Sequence, residues 1–135
     1  MKAMLLTTRL AFGAWLVANG LNHFFLPLFA VPAGTTPLAV QLLGAMTHIG
    51  LLDVAMAIAL VAGALVLVGV CVPAALCVMM PITICTVYWT VVLERDPFWA
   101  LVALAALAVN GLLMLVHFEY YKRVLERHPL AIGEA

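Results

Sequence analysis

The chain has 135 residues, 67% of them hydrophobic and only 9% charged, with a mean hydropathy of +1.23; these values exclude an ordinary soluble domain and describe a polytopic membrane protein. Six basic residues balance six acidic ones for a formal net charge of zero, and with no basic tract neither nucleic acid nor an anionic-lipid anchor is expected as a partner. The length suits one compact bundle, a single transmembrane domain over 1–135.

A first span is expected over about residues 5–28, ended by Pro27 and the stretch from Val31 to Pro37, whose two prolines and glycine cannot continue a helix. Lys2 followed by apolar residues has the outline of a signal peptide, but Arg9 interrupts the run and no A-x-A site follows, so the segment is expected to stay as a helix. Within it, Asn19, Asn22 and His23 are three and four residues apart and crowd one side of the helix, with Trp15 on the same stripe. Unsatisfied polar groups cost several kcal/mol in hydrocarbon, so this stripe should face other helices.

Thr36 offers an N-cap and Pro37 a first helical residue. The apolar stretch that follows, residues 37–48, is too short to cross a core of about 30 Å and is expected along the outer interface or as a re-entrant segment. A second span is expected over 49–72, with Asp53 near its start and many small residues (Ala55, Ala57, Ala59, Ala62, Gly63, Ala64) that suit close packing. Residues 73–93 form the third, starting at Pro73 in a tight hairpin and kinked by Pro81. Asp96 and Pro97 then start a fourth over 97–120, which leaves a short tail at 121–135. The fold class is therefore all-α, with four transmembrane helices in a bundle plus one short helix after the first.

Lys2 and Arg9 at the start and Lys122, Arg123 and Arg127 at the end place both termini in the cytoplasm by the positive-inside rule, as an even number of spans requires, and suit a bacterial inner membrane. Tyr120 and Tyr121 then belong to the inner aromatic belt, and Trp89, Phe98 and Trp99 to the outer one.

In that topology Asn19, Asn22, His23, His48 and Asp53 can converge at the outer end. A carboxylate near two imidazoles could hold a metal, orient a quinone carbonyl or relay protons. His48 and Asp53, however, are five apart and about 140° around a helix, so a shared site needs a break near Gly50. The simpler reading has the asparagines knitting helices together, the histidines at the headgroup boundary, and Asp53 either at a helix N-terminus or paired with Arg95. Asn110 and His117 are secondary polar candidates on one face of the fourth span. A b-haem is disfavoured because His117 lies near the inner boundary and His23 and His48 near the outer one. His128, before Pro129, reads as a solvated tail residue. Cys71, Cys77 and Cys85 have no C-x-x-C spacing and read as buried apolar residues. No catalytic motif is present, so no catalytic residue is assigned. A small-solute transporter has little support, since paired broken helices in inverted repeats are missing.

The run from Arg9 to Phe24, the short stretch after it, and Val61-Ala-Gly-Ala-Leu-Val-Leu-Val-Gly69 followed by Pro73-Ala-Ala75 together resemble the DoxX-like family. That resemblance implies a four-helix membrane protein associated with redox systems. Some relatives are subunits of quinone-linked sulfur oxidoreductases, others partners of oxidative-stress enzymes. It carries over no active site. Two functions remain as expectations: an accessory subunit packed against other integral membrane subunits of a redox-linked complex, respiratory or photosynthetic, or a redox protein with a quinone or metal in the outer pocket.

Overall fold

The computed structural model describes residues 1–30 and 33–126. It is all-helical among the described residues: α1 Lys2–Phe24, α2 Pro37–His48, α3 Leu51–Val68, α4 Val72–Tyr88 with a π-helical continuation Trp89–Glu94, α5 Pro97–Val116 and α6 Phe118–Glu126. Four stretches are long and apolar enough to cross a membrane, namely α1, α3, α4 with its π segment, and α5. At 1.5 Å per residue the 23 residues of α1 reach about 34 Å and the 18 of α3 about 27 Å, close to the hydrocarbon thickness.

Local chemistry explains where these helices begin. Thr36 caps α2, its hydroxyl accepting from the Ala39 amide at 3.3 Å, with Pro37 next. Asp96 caps α5, its Oδ1 accepting from Phe98 at 2.9 Å and Trp99 at 3.3 Å, with Pro97 in the first turn. Several helix ends differ from the sequence expectation. The first span closes at Phe24, ahead of Pro27. The second ends at Val68, where Gly69 turns left-handed (φ 84°). The fourth ends at Val116, and residues 118–126, expected partly as span and partly as tail, form a separate helix. Its charges, at Glu119, Lys122, Arg123 and Glu126, come too densely for hydrocarbon. Arg127, His128 and the remaining tail lie outside the described residues, as do Val31 and Pro32.

Helix α1 runs antiparallel to α3, and the ring continues through α4 and α5 back to α1. The α1–α3 seam is the tightest, because glycines let the two backbones meet: a Cβ on Gly63 would lie 2.8 Å from the Leu16 Cβ and 2.9 Å from the Val17 amide nitrogen. Phe12, Leu16, Val66, Leu76, Met79 and Leu113 fill the centre. Ala59, Ala62 and Gly63, among the small residues expected to suit close packing, are buried within this bundle. The three cysteines are free and exposed, not buried: two of them lie on the outer surface of α4, where a small apolar residue faces lipid as readily as core.

Candidate functional site

Antiparallel packing brings the end of α1 beside the start of α3, and there His23 meets Asp53. Nε2 of His23 and Oδ1 of Asp53 are 2.7 Å apart. Asp53 stands in the first turn of α3, where the positive end of the helix dipole favours a carboxylate. Its partner is His23; no pair with Arg95 forms among the described residues. With Asp53 ionised, Nε2 carries the proton and donates, which leaves Nδ1 of a neutral ring as an acceptor. Phe24 packs edge-on against the imidazole at 4.8 Å.

The other three residues of the expected pocket go elsewhere. Asn19 donates from Nδ2 to the Trp15 carbonyl one turn back, at 2.8 Å. Asn22 accepts through Oδ1 from the Phe29 amide at 2.9 Å, tying the chain leaving α1 back onto the helix. That tie positions Phe29, which stacks on Trp15 (5.8 Å between centroids, 10° between planes) and lies 6.4 Å from Trp99. The polar stripe thus anchors an aromatic cluster that links α1 with the start of α5. His48, at the end of α2, is exposed and joins neither His23 nor Asp53. Among the described residues no group of three or more His, Cys, Asp or Glu side chains is placed to hold a metal.

The secondary candidates separate as well. Asn110 is fully buried between α4 and α5, donating from Nδ2 to Thr83 Oγ1 at 3.4 Å, and its Oδ1 is buried without a partner. His117 follows α5 and is bound through Nδ1 to the Leu113 carbonyl at 2.8 Å.

Sequence reasoning missed the most deeply buried charged residue, Glu94, which is 3% exposed. Both carboxylate oxygens lie 2.9 Å from the Thr35 amide nitrogen, and Thr36 Oγ1 donates to the Leu93 carbonyl at 2.6 Å. Thr35 immediately precedes the α2 cap, so the carboxylate faces the positive end of that helix. Glu94 also closes the π-helical segment, whose wider turn re-aims side chains relative to an α-helix. Within the run Glu94-Arg95-Asp96-Pro97 it reads as one more turn residue; its partner, Thr35, is 59 positions away, and no local pattern announces it.

Comparison with protein-family models, with characterised proteins and with solved structures finds no match to this chain. The apolar helices fit a bilayer, and integral membrane location rests on them.

Proposed function

We propose that the protein is a small integral membrane accessory subunit, seated against the helices of a larger complex with both termini on the cytoplasmic side of an inner membrane. The observation that carries this reading is an outward-facing apolar groove of about 420 Å³ between α3 and α4, lined by Ala57, Val61, Ala74 and Val78 among others. Small residues on both walls let a partner helix approach closely, which is how helices associate in lipid. Asn19, Asn22 and His23 of α1, meanwhile, are engaged with the helix's own backbone, the loop after it and α3 in turn, as suits a structural bundle. A redox role for the complex rests on the DoxX-like resemblance alone.

Mild-detergent extraction from the native membrane followed by native mass spectrometry tests the proposal. The chain should leave as part of a larger assembly, and Ala57→Phe with Ala74→Phe, both on exposed positions, should release it folded and alone. A wild-type chain that purifies as a monomer sinks the reading.

A second reading, a redox protein with a quinone at the same end of the bundle as His23, is favoured by the imidazole itself. Its Nδ1 has no protein partner among the described residues, and it can accept from a quinol hydroxyl or, when protonated, donate to a quinone carbonyl. In that case quinones raise the melting temperature of the wild type and not of Asp53→Asn. No shift with any quinone rules it out. Placement of α2 along the outer membrane surface accompanies both readings, supported by its 12-residue length and largely exposed side chains.

A further inference from the structure

Helix α6 barely joins the bundle. None of its nine residues is buried, and its one side-chain hydrogen bond to another element among the described residues runs from the Tyr121 hydroxyl to the Pro73 carbonyl at 2.6 Å. It follows α5 after a single residue, His117, whose Nδ1 is held by the Leu113 carbonyl at 2.8 Å. The 20 residues of α5 are apolar enough to cross a membrane and reach about 30 Å, the thickness of the hydrocarbon core. Connectivity therefore starts α6 where the hydrocarbon ends.

The helix is two-sided. At about 100° per residue, Lys122, Glu126, Glu119 and Arg123 follow one another around an arc of about 100°. Tyr120, Val124, Tyr121, Leu125 and Phe118 fill an arc of about 160° opposite them. Tyr120, Val124, Leu125 and Phe118 are 57% to 78% exposed, too much for any of them to be packed on protein. Tyr121 is half-buried and lies in the middle of that arc, so its bond to Pro73 turns the apolar side towards the start of α4 and leaves the flanking residues beside the bundle. Within the charged arc the bases stand at the two edges, next to Phe118 and Tyr120, and the carboxylates stand between them; Lys122 reaches Glu126 at 3.8 Å.

We infer that α6 is a surface-binding helix whose partner is a phospholipid bilayer, along which it lies with Phe118, Tyr120, Val124 and Leu125 among the lipids. Four charges in nine residues keep it out of hydrocarbon, and a helix surrounded by water gains nothing from gathering its apolar residues on one side. An interface satisfies both sides at once. The edge positions of Lys122 and Arg123 let long basic side chains reach lipid phosphates while the carboxylates face water, a charge order that complements a lipid surface. With two bases and two acids in the helix, apolar burial and not net charge drives the contact. Surface binding by α6 needs no partner complex and stands apart from the accessory-subunit reading.

The test uses the full chain in phosphatidylcholine vesicles, carrying Cys71→Ala, Cys77→Ala and Cys85→Ala, with a nitroxide on Glu119→Cys, Val124→Cys, Leu125→Cys or Glu126→Cys in turn. Power-saturation EPR should find the labels at 124 and 125 more accessible to oxygen than to an aqueous nickel chelate, and those at 119 and 126 the reverse. Access of the chelate to all four overturns the inference, because α6 then stands in water. Protection of 124 and 125 from both reagents overturns it in favour of a second copy of the chain covering that side. A label-free comparison decides if the cysteine-free chain fails to fold by circular dichroism. In the same vesicles trypsin should cut the wild type after Lys122 and Arg123 at least about tenfold more slowly than Val124→Gln/Leu125→Gln, since cleavage requires α6 to leave the surface and glutamine keeps the helix propensity. Equal cleavage rates overturn the inference.

Discussion

Glu94 receives a single backbone amide, from Thr35, on both oxygens, and sits in front of the α2 N-terminus with no basic side chain paired to it among the described residues. Its charge is balanced by backbone dipoles, so removing the acceptor leaves the Thr35 amide unsatisfied. Glu94→Ala should cost about 1–3 kcal/mol in thermal or denaturant unfolding in detergent, while Glu94→Gln, which keeps one acceptor oxygen, should cost less. A neutral Glu94→Ala would mean that water reaches the amide. Asn110 is the complementary case, a buried amide whose Nδ2 donates at 3.4 Å and whose carbonyl oxygen is orphaned; the Thr83 hydroxyl donates to the Met79 carbonyl, so Asn110 must donate to Thr83 and its Oδ1 is left over.

Between elements, two contacts have opposite characters. The α1–α3 seam is backbone against backbone at Gly63, and a methyl group there meets the Val17 amide nitrogen and the Gly13 carbonyl oxygen, which cannot move aside. Gly63→Ala should therefore destabilise by about 1–3 kcal/mol, although alanine in a helix normally gains about 0.5–1 kcal/mol over glycine. Gly44 of α2, with nothing within 4 Å of a Cβ, should show that gain instead. Melting the two variants side by side checks the inversion of sign. Helix α6, by contrast, is held by Tyr121. Burial, and secondarily the Cys77 thiol beside it, pushes the phenol up to about 12 from 10.0. A raised folded-state value means that the neutral phenol is preferred in the native state. The contribution is full below about pH 10 and is lost as the pH rises towards 12. In an ultraviolet titration one of the three tyrosines should ionise late, and Tyr121→Phe should abolish that step and loosen α6. Three coincident titrations would disprove the docking.

Taken whole, the described residues form a ring of four helices long and apolar enough to cross a membrane, with distinct ends. One carries the N-terminus, the α3–α4 turn and α6; the other carries the aromatic cluster, the His23–Asp53 pair and Glu94. Cys71 is free, exposed and in the α3–α4 turn, whereas Cys77 and Cys85 lie within α4. A membrane-impermeant maleimide should label Cys71 only from the face that carries the N-terminus, with Cys77 and Cys85 protected until detergent is added. Labelling from the opposite face would exclude an even number of crossings between Met1 and the turn.

Sequence alone determined the helical, membrane-spanning character, the number of apolar stretches, and the starts of α2 and α5. These depend on hydropathy summed over some twenty residues and on caps within three positions of their partners, both local properties of the chain. It also singled out His23 and Asp53, because charge and imidazole in hydrocarbon are costly wherever they point. Tertiary structure alone decided which polar groups meet. Only antiparallel docking through Gly63 sets His23 against Asp53, and it leaves His48 outside while Asn19 turns to its own helix backbone and Asn22 to the chain leaving α1. Glu94 with Thr35, Tyr121 with Pro73, and Arg9 over Gly69 are joined across 48 to 60 residues by helix packing. Such pairs leave no periodicity in the chain, since their proximity comes from the closure of the bundle.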